Sequence, residues 1–432
     1  MDVQLINEVL AEGVRCLSLP DSRFKTSRLT VALLLPLKKE TASAGALLPY
    51  LLRRSCAAYP DFTALQRRLN ELYGASITAE VARIGEAQAL VLTAAAIDDR
   101  FALAGEPVAE SCAALLRQML FEPVLENGCF RASDVRTEKR CLIERMEAEI
   151  NDKRWYARRR CEELLCENEA YAVDRYGSPE AAAALTPESL TGTWRRVLAG
   201  ARVQLILQGG AAVMHAAGPL REALAGVPGR KPLDCPTVTA ASYPAVRERV
   251  ERMEVRGSKL VLGFRAGTAE PDGDVAAARL MNALLGGTPH SLLFRNVREK
   301  LSLCYYCASS YDRLKGILLV DSGVDGQNAG RAKEEILRQL DALKTGDFTE
   351  EDLESARRSA CQAFGSVGDS QGAQASWYLG QCLLPGVSTP EEASKALAAV
   401  TRERVVAAAE RVTLESVYLL TQEPGGEGSD NA

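Results

Sequence analysis

Histidine is nearly missing: His215 and His290 are the only two in 432 residues. They stand 75 positions apart, and neither has a second histidine or a close glutamate at helical spacing. A zinc helix built on paired imidazoles is therefore excluded. His215, in AAVMHAAG, reads as a surface or capping residue; His290, beside a glycine pair, reads as a helix-start residue or a substrate contact. P-loop, G-x-S-x-G and paired-cysteine zinc patterns are also missing. The net charge is −5 and the basic residues are spread along the chain, so no nucleic-acid partner is expected. The longest apolar run, LTVALLLPL, is about half of what a membrane span needs and reads as a buried strand. The start MDVQLINEVLAEG has no basic region leading into an apolar core, so it is no signal peptide and a cytoplasmic protein without a membrane span is expected.

What the chain does have is cysteine, twelve residues scattered along it. In a reducing compartment they are expected to stay free and to pack as small hydrophobes. Cys304 and Cys307 form a C-x-x-C within a stretch that reads as a strand. Residues three apart on a strand point to opposite faces, which argues against a shared metal or a disulfide there.

The pattern along the chain repeats. Strands are predicted near Val14–Leu17, Leu29–Leu37, Ser76–Val81, Ala87–Ala95 and Val203–Gln208, and again near Arg249–Val255, Leu260–Arg265, Leu303–Ser310, Gly316–Gly323 and Ser416–Thr421. Helices are predicted between them. One is a long, charge-laced helix from about Ala132 to Glu167, whose acids and bases at three- and four-residue spacing mark a largely solvated face. LQRRLNELYGASIT matches LFRNVREKLSLCYY in pattern, SDVRTEKRCL matches EDLESARRSA, and LTPESL matches VTRERV. A duplication of about 210 residues is the simplest account. The proline-bearing stretch 225–245 is the expected linker, between an N-terminal domain 1–224 and a C-terminal domain 246–432. The tail PGGEGSDNA reads as disordered. The expected fold class is α+β: two homologous domains, each an antiparallel-rich sheet packed with helices, arranged as a clam around a cavity.

One stretch carries the most specific pattern. In REKLSLCY, Arg298 on a helix precedes Tyr305 on a strand by seven residues, and GGTPHSLLF just upstream supplies Gly286, Gly287, Ser291 and Phe294. With the duplicated order, this resembles the pitrilysin/insulinase metallopeptidase family, which includes the mitochondrial processing peptidase. The resemblance implies that Arg298 and Tyr305 bind substrate, as donors able to stabilise an oxyanion. It also implies a zinc motif H-x-x-E-H in the first half. The aligned positions fall on ALLPY, which puts Ala46 and Tyr50 where the histidines belong and Pro49 where the general base belongs. The third ligand aligns with Arg145 in EKRCLIER, with Glu144 one place off. The resemblance therefore points to the zinc-less, YfmF-like branch, with no catalytic residue, no metal and no cofactor of its own, and a chain inactive when alone.

Two readings follow. In the first, the chain is a non-catalytic subunit of a two-chain zinc metallopeptidase. It pairs as a heterodimer with a zinc-bearing subunit of the same fold, or as a homodimer, and offers binding surface to a peptide or unfolded polypeptide. The resemblance associates this branch with the 5-aminopentanol modification of elongation factor P. In the second, the same fold is a structural or peptide-binding scaffold with no proteolytic role. A hydrolase with its own unrecognised site would need a metal held by scattered cysteines and carboxylates, which their spacing disfavours.

Overall fold

In the computed structural model, residues 5–239 and 245–423 are described. The tail 424–432 and part of the linker 225–245 lie outside them. The fold is α+β, with two main sheets and a short hairpin. The strands of the first sheet are β1 (Ile6–Ala11), β2 (Val14–Pro20), β3 (Thr26–Pro36), β4 (Ser76–Ile84), β5 (Ala87–Ile97) and, after the hairpin β6 (Leu125–Glu126) and β7 (Cys129–Phe130), β8 (Arg202–Gly209). The second sheet contains β9 (Arg247–Arg252), β10 (Ser258–Arg265), β11 (Cys304–Asp312), β12 (Ile317–Val324) and β13 (Thr413–Thr421).

The duplication is written in the strand order. The first sheet runs β1-β2-β8-β3-β5-β4 and the second runs β9-β13-β10-β12-β11. From β2 and β9 inward, each begins with one parallel pair and continues with three antiparallel pairs. The sheets thus correspond strand for strand, with β1 as an added edge on the first. β3 and β10 are central and read as nearly continuous apolar runs because their residues are covered on both faces.

The chain divides into two compact units that are not its two halves. One contains the residues up to Glu147, Val173–Pro236 and Gln374–Leu383; the other contains Ala148–Ala172, Thr237–Ala373 and the residues from Leu384 on. Each half therefore lends a segment to the unit built mainly by the other. The sequence reading runs one helix through 132–167, but there are two: α4 (Ala132–Ala148) and α5 (Lys153–Leu165), with α1 (Ala42–Leu52), α2 (Phe62–Glu71) and α3 (Val108–Phe121) before them. The break is chemical. Asp152 accepts from the amides of Arg154 and Trp155 and so caps a new helix start.

Nor is α5 mainly solvated. Ala157, Cys161 and Leu165 are buried against Val261, Leu319, Tyr418 and Leu420 of the second sheet. Its charged residues face specific partners: Arg154 pairs with buried Asp321 at 2.6 Å, Arg158 pairs with the same carboxylate, and Arg158 donates to Ser310 at 2.6 Å. The other face of this sheet carries the larger core, from Leu260 through Val417. In the first unit, α1, α3 and the helix Pro187–Gly200 contribute to a core with Val31, Leu33, Leu90 and Leu92. Among the described residues no helix is long and apolar enough to cross a membrane.

Candidate functional site

The positions that would carry a metal lie on α1 and α4. Every residue of α1 except Ala44 is buried, so its sequence is apolar all round. Ala46 and Tyr50, four apart, share a face. Pro49 sits inside the helix, lacks an amide to donate, and lines an apolar gap of about 10 Å³ with Leu48, Leu52, Trp194 and Val197. On α4, Val135, Glu138 and Leu142 are buried at helical spacing, and Arg145 continues that stripe. Arg145 lays its guanidinium 4.4 Å from the centre of the Tyr50 ring and 6.0 Å from that of Tyr176. Glu144 turns instead towards Arg140, at 3.7 Å on the exposed side.

A docked loop completes this cluster. Gly177 adopts a φ of +79°, and a Cβ there would stand 2.0 Å from the hydroxyl of Ser43 on α1. Ser43 accepts from the amide of Ser178 at 3.1 Å. This close approach presses Tyr176 against Tyr50, and Arg175 covers Tyr176 at 4.4 Å. Burial, then Tyr176 beside it, pushes the Tyr50 phenol well above its usual range, so it keeps its proton. The structure thus brings Tyr50 and Arg145 together as a cation–π stack, with Ala46 and Pro49 as packing residues. A zinc ion needs lone pairs from imidazole, carboxylate or thiolate; a protonated phenol, a guanidinium, a methyl group and a proline ring supply none. The residues do not fit the metal. Among the described residues no group of three or more His, Cys, Asp and Glu is placed to hold one. His215 bonds the carbonyl of Ala211 on its own helix at 3.0 Å, and exposed His290 lines a groove with Arg295, Glu299 and Asp352.

The second candidate region is the stretch from Gly286 to Tyr306. Leu293–Lys300 forms a helix with turns wider than an α-helix: the amide of Leu301 donates to the carbonyl five residues back, on Asn296. A Cβ on Gly286 would lie 2.7 Å from both Leu293 Cδ1 and the backbone nitrogen of Ser309. The glycine is therefore what lets this helix pair approach β11. Gly286→Ala is expected to cost about 1–3 kcal/mol by overpacking, read as a lowered urea midpoint; an unchanged midpoint would show that β11 yields freely. Arg298 is exposed and lies over the ring of Phe294 at 4.5 Å. Tyr305 is 65% exposed and donates to Asp325 at 2.9 Å.

Tyr305 owes its exposure to a β-bulge that the sequence reading lacks. Cys304 pairs with Val324 and Tyr306 pairs with Gly323, so Tyr305 is the extra residue. The bulge shifts the alternation of everything before it. Cys304 and Cys307 oppose Val324 and Ser322, two apart on β12, and so share one face; both are buried in one core. The expectation that they point to opposite faces is corrected. The signal for it was weak, because no glycine marks the bulge. Tyr306 turns to the other face, beneath Arg154 at 4.3 Å.

Comparison with known proteins shows what the chain is similar to. Residues 184–360 match the model described as the peptidase M16 inactive domain. Over 98% of its length the chain is 29% identical to 99% of a Bacillus subtilis protein described as the probable inactive metalloprotease YmfF. It is similar to the crystal structure of a conserved protein from Enterococcus faecalis V583, with a TM-score of 0.86 and 27% identity over 97% of this chain and 99% of that one. A peptidase M16 inactive domain from Pseudomonas fluorescens shares the fold, with a TM-score of 0.77 and 17% identity over 99% of this chain and all (100%) of that one. The description of the Bacillus protein as a probable inactive metalloprotease agrees with the inactive chain expected from the lost motif, and its name is YmfF rather than YfmF.

Proposed function

From the match of residues 184–360 to the peptidase M16 inactive domain and the full-length similarity to a probable inactive metalloprotease, we propose that the chain is an inactive member of the pitrilysin/insulinase peptidases and the non-catalytic subunit of a two-chain zinc metallopeptidase. Its two peptidase-like domains would be 1–224 and 246–432, joined by 225–245. A partner of the same fold supplies the zinc, and this chain supplies Arg298 and Tyr305 to a peptide or unfolded polypeptide. The observation that carries this reading is the pair of contrasting sites. At the metal positions, Tyr50 and Arg145 fill the space with a stack that offers no ligand. At the other site, an arginine and a tyrosine stand exposed and uninvolved in the core. The association with the elongation factor P modification rests on the family resemblance alone.

The test is co-expression with a zinc-bearing companion, sought first in a neighbouring reading frame that encodes H-x-x-E-H. The purified chain alone is expected to carry no stoichiometric zinc and to cleave no peptide; the pair is expected to co-purify, with one zinc per pair and peptidase activity. One tightly held zinc in the isolated chain would overturn the reading. A pair that co-purifies but never cleaves would favour the scaffold role.

A further inference from the structure

We propose that Cys304 and Cys307 form a redox-active dithiol, a modification site that closes to a disulfide by exchange with a small disulfide of the glutathione class. The geometry comes from the bulge at Tyr305. It brings two cysteines that ordinary strand alternation would separate onto one face, opposite Val324 and Ser322. Both are free thiols, 9% and 4% exposed, in the same core. β11 is an edge strand, paired only with β12. Opposite Cys307, the buried hydroxyl of Ser322 has no hydrogen-bond partner.

The electrostatics agree. Hydrogen bonding from Cys307 holds the Cys304 thiol below its usual range against the opposing effect of burial, and the nearby Arg298 charge lowers it further. The same contact, with burial, raises Cys307. Cys112, Cys161 and Cys166, buried elsewhere, are pushed up to about 12. Cys304 is thus the attacking sulfur and Cys307 the resolving one.

The exchange balances in two steps. The Cys304 thiolate attacks one sulfur of glutathione disulfide, forming a mixed disulfide and releasing one glutathione thiolate. Cys307, giving up its proton to that thiolate, attacks the Cys304 sulfur and releases the second. Two protein thiols are oxidised and one external disulfide is reduced to two thiols. The new bond spans Tyr305, so oxidation fixes the backbone that aims this phenol outward; what that does to a partner's substrate rests on the proposed function, but the dithiol itself does not.

The test uses the full native chain equilibrated in glutathione buffers of rising disulfide content, followed by acid quench, alkylation and trypsin. The tryptic peptide Leu301–Arg313 contains both cysteines and no other. It is expected to lose two hydrogens and escape alkylation as the disulfide fraction rises, and to revert with excess thiol. In Cys304→Ser the Cys307 thiol should remain alkylatable, while Cys112→Ser should leave the transition unchanged. A peptide that stays alkylatable at every ratio in the native parent chain, or that oxidises only in urea, overturns the proposal. So does equal protection in Cys304→Ser.

Discussion

Glu169→Ala is expected to lower the stability of the chain by about 3–5 kcal/mol, the range for breaking a buried ion pair from one side. Glu169 lies just after α5, in the segment that the first half lends to the second sheet's unit. Its carboxylate pairs with Arg265 of β10 and with Lys315, which is completely buried. Arg265 also reaches Glu415 at 3.2 Å and the carbonyl of Leu165 at 3.1 Å, while Lys315 donates to the carbonyl of Val238 at 2.5 Å. Removing Glu169 takes away the carboxylate shared by two buried cations. Arg265 keeps Glu415, so the cost comes mostly from the buried Lys315 charge losing this carboxylate, not from the lost attraction. Urea unfolding should therefore show Glu169→Ala far below the parent. Adding Lys315→Met to it should recover part of the loss, because the buried charge that lost its carboxylate is gone. A Glu169→Ala chain within about 1 kcal/mol of the parent, a surface-pair value, would mean that water reaches this cluster.

The same segment shows where sequence reading stops. Apart from β1, the strands of both sheets, their repetition and the α+β class are legible, because period-two burial and apolar runs survive in Leu29–Leu37 and Leu260–Arg265. The break at Asp152 was written in local chemistry, an Asn-Asp pair before the basic run of α5, but continuous charge at helical spacing masks it. The destination of α5 is not local at all: nothing in residues 148–172 states that they pack on β10 and β13. The helix Pro390–Ala398 carries the signal Thr389-Pro390-Glu391-Glu392, with the threonine and proline placed as at Thr186-Pro187, and a capping box forms there. β1 is half exposed and gives little pattern to detect. At the site, the motif positions Ala46, Pro49, Tyr50 and Arg145 are legible only through the resemblance. The stack that joins Tyr50 to Arg145, and the loop that adds Tyr176 through the Gly177–Ser43 contact, need three dimensions. The bulge at Tyr305 likewise depends on which residue of β12 each partner meets.

Arg298→Ala is expected to lower turnover of the reconstituted two-chain peptidase by about 10²-fold, the size of one lost oxyanion donor. Tyr305→Phe should lower it in the same direction, because it removes only the phenolic proton. Stability should scarcely move in either case. Arg298 is exposed and lies over the ring of Phe294, and Tyr305 is lifted out by the bulge, with its hydroxyl bonded to exposed Asp325. Surface residues of this kind usually change stability by less than about 0.5 kcal/mol. That separation makes the experiment decisive. A loss in kcat with an unchanged melting temperature means that the two donors act when charge develops on the substrate carbonyl. A rise in KM alone means that they only hold the peptide. Arg298→Lys should recover little if the forked guanidinium is what matters, since a point charge cannot make the same paired bonds. If both substitutions leave kcat and KM of the pair at the parent values, Arg298 and Tyr305 are not a substrate clamp, and the exposed tyrosine must be explained by the dithiol that flanks it or by the partner's surface.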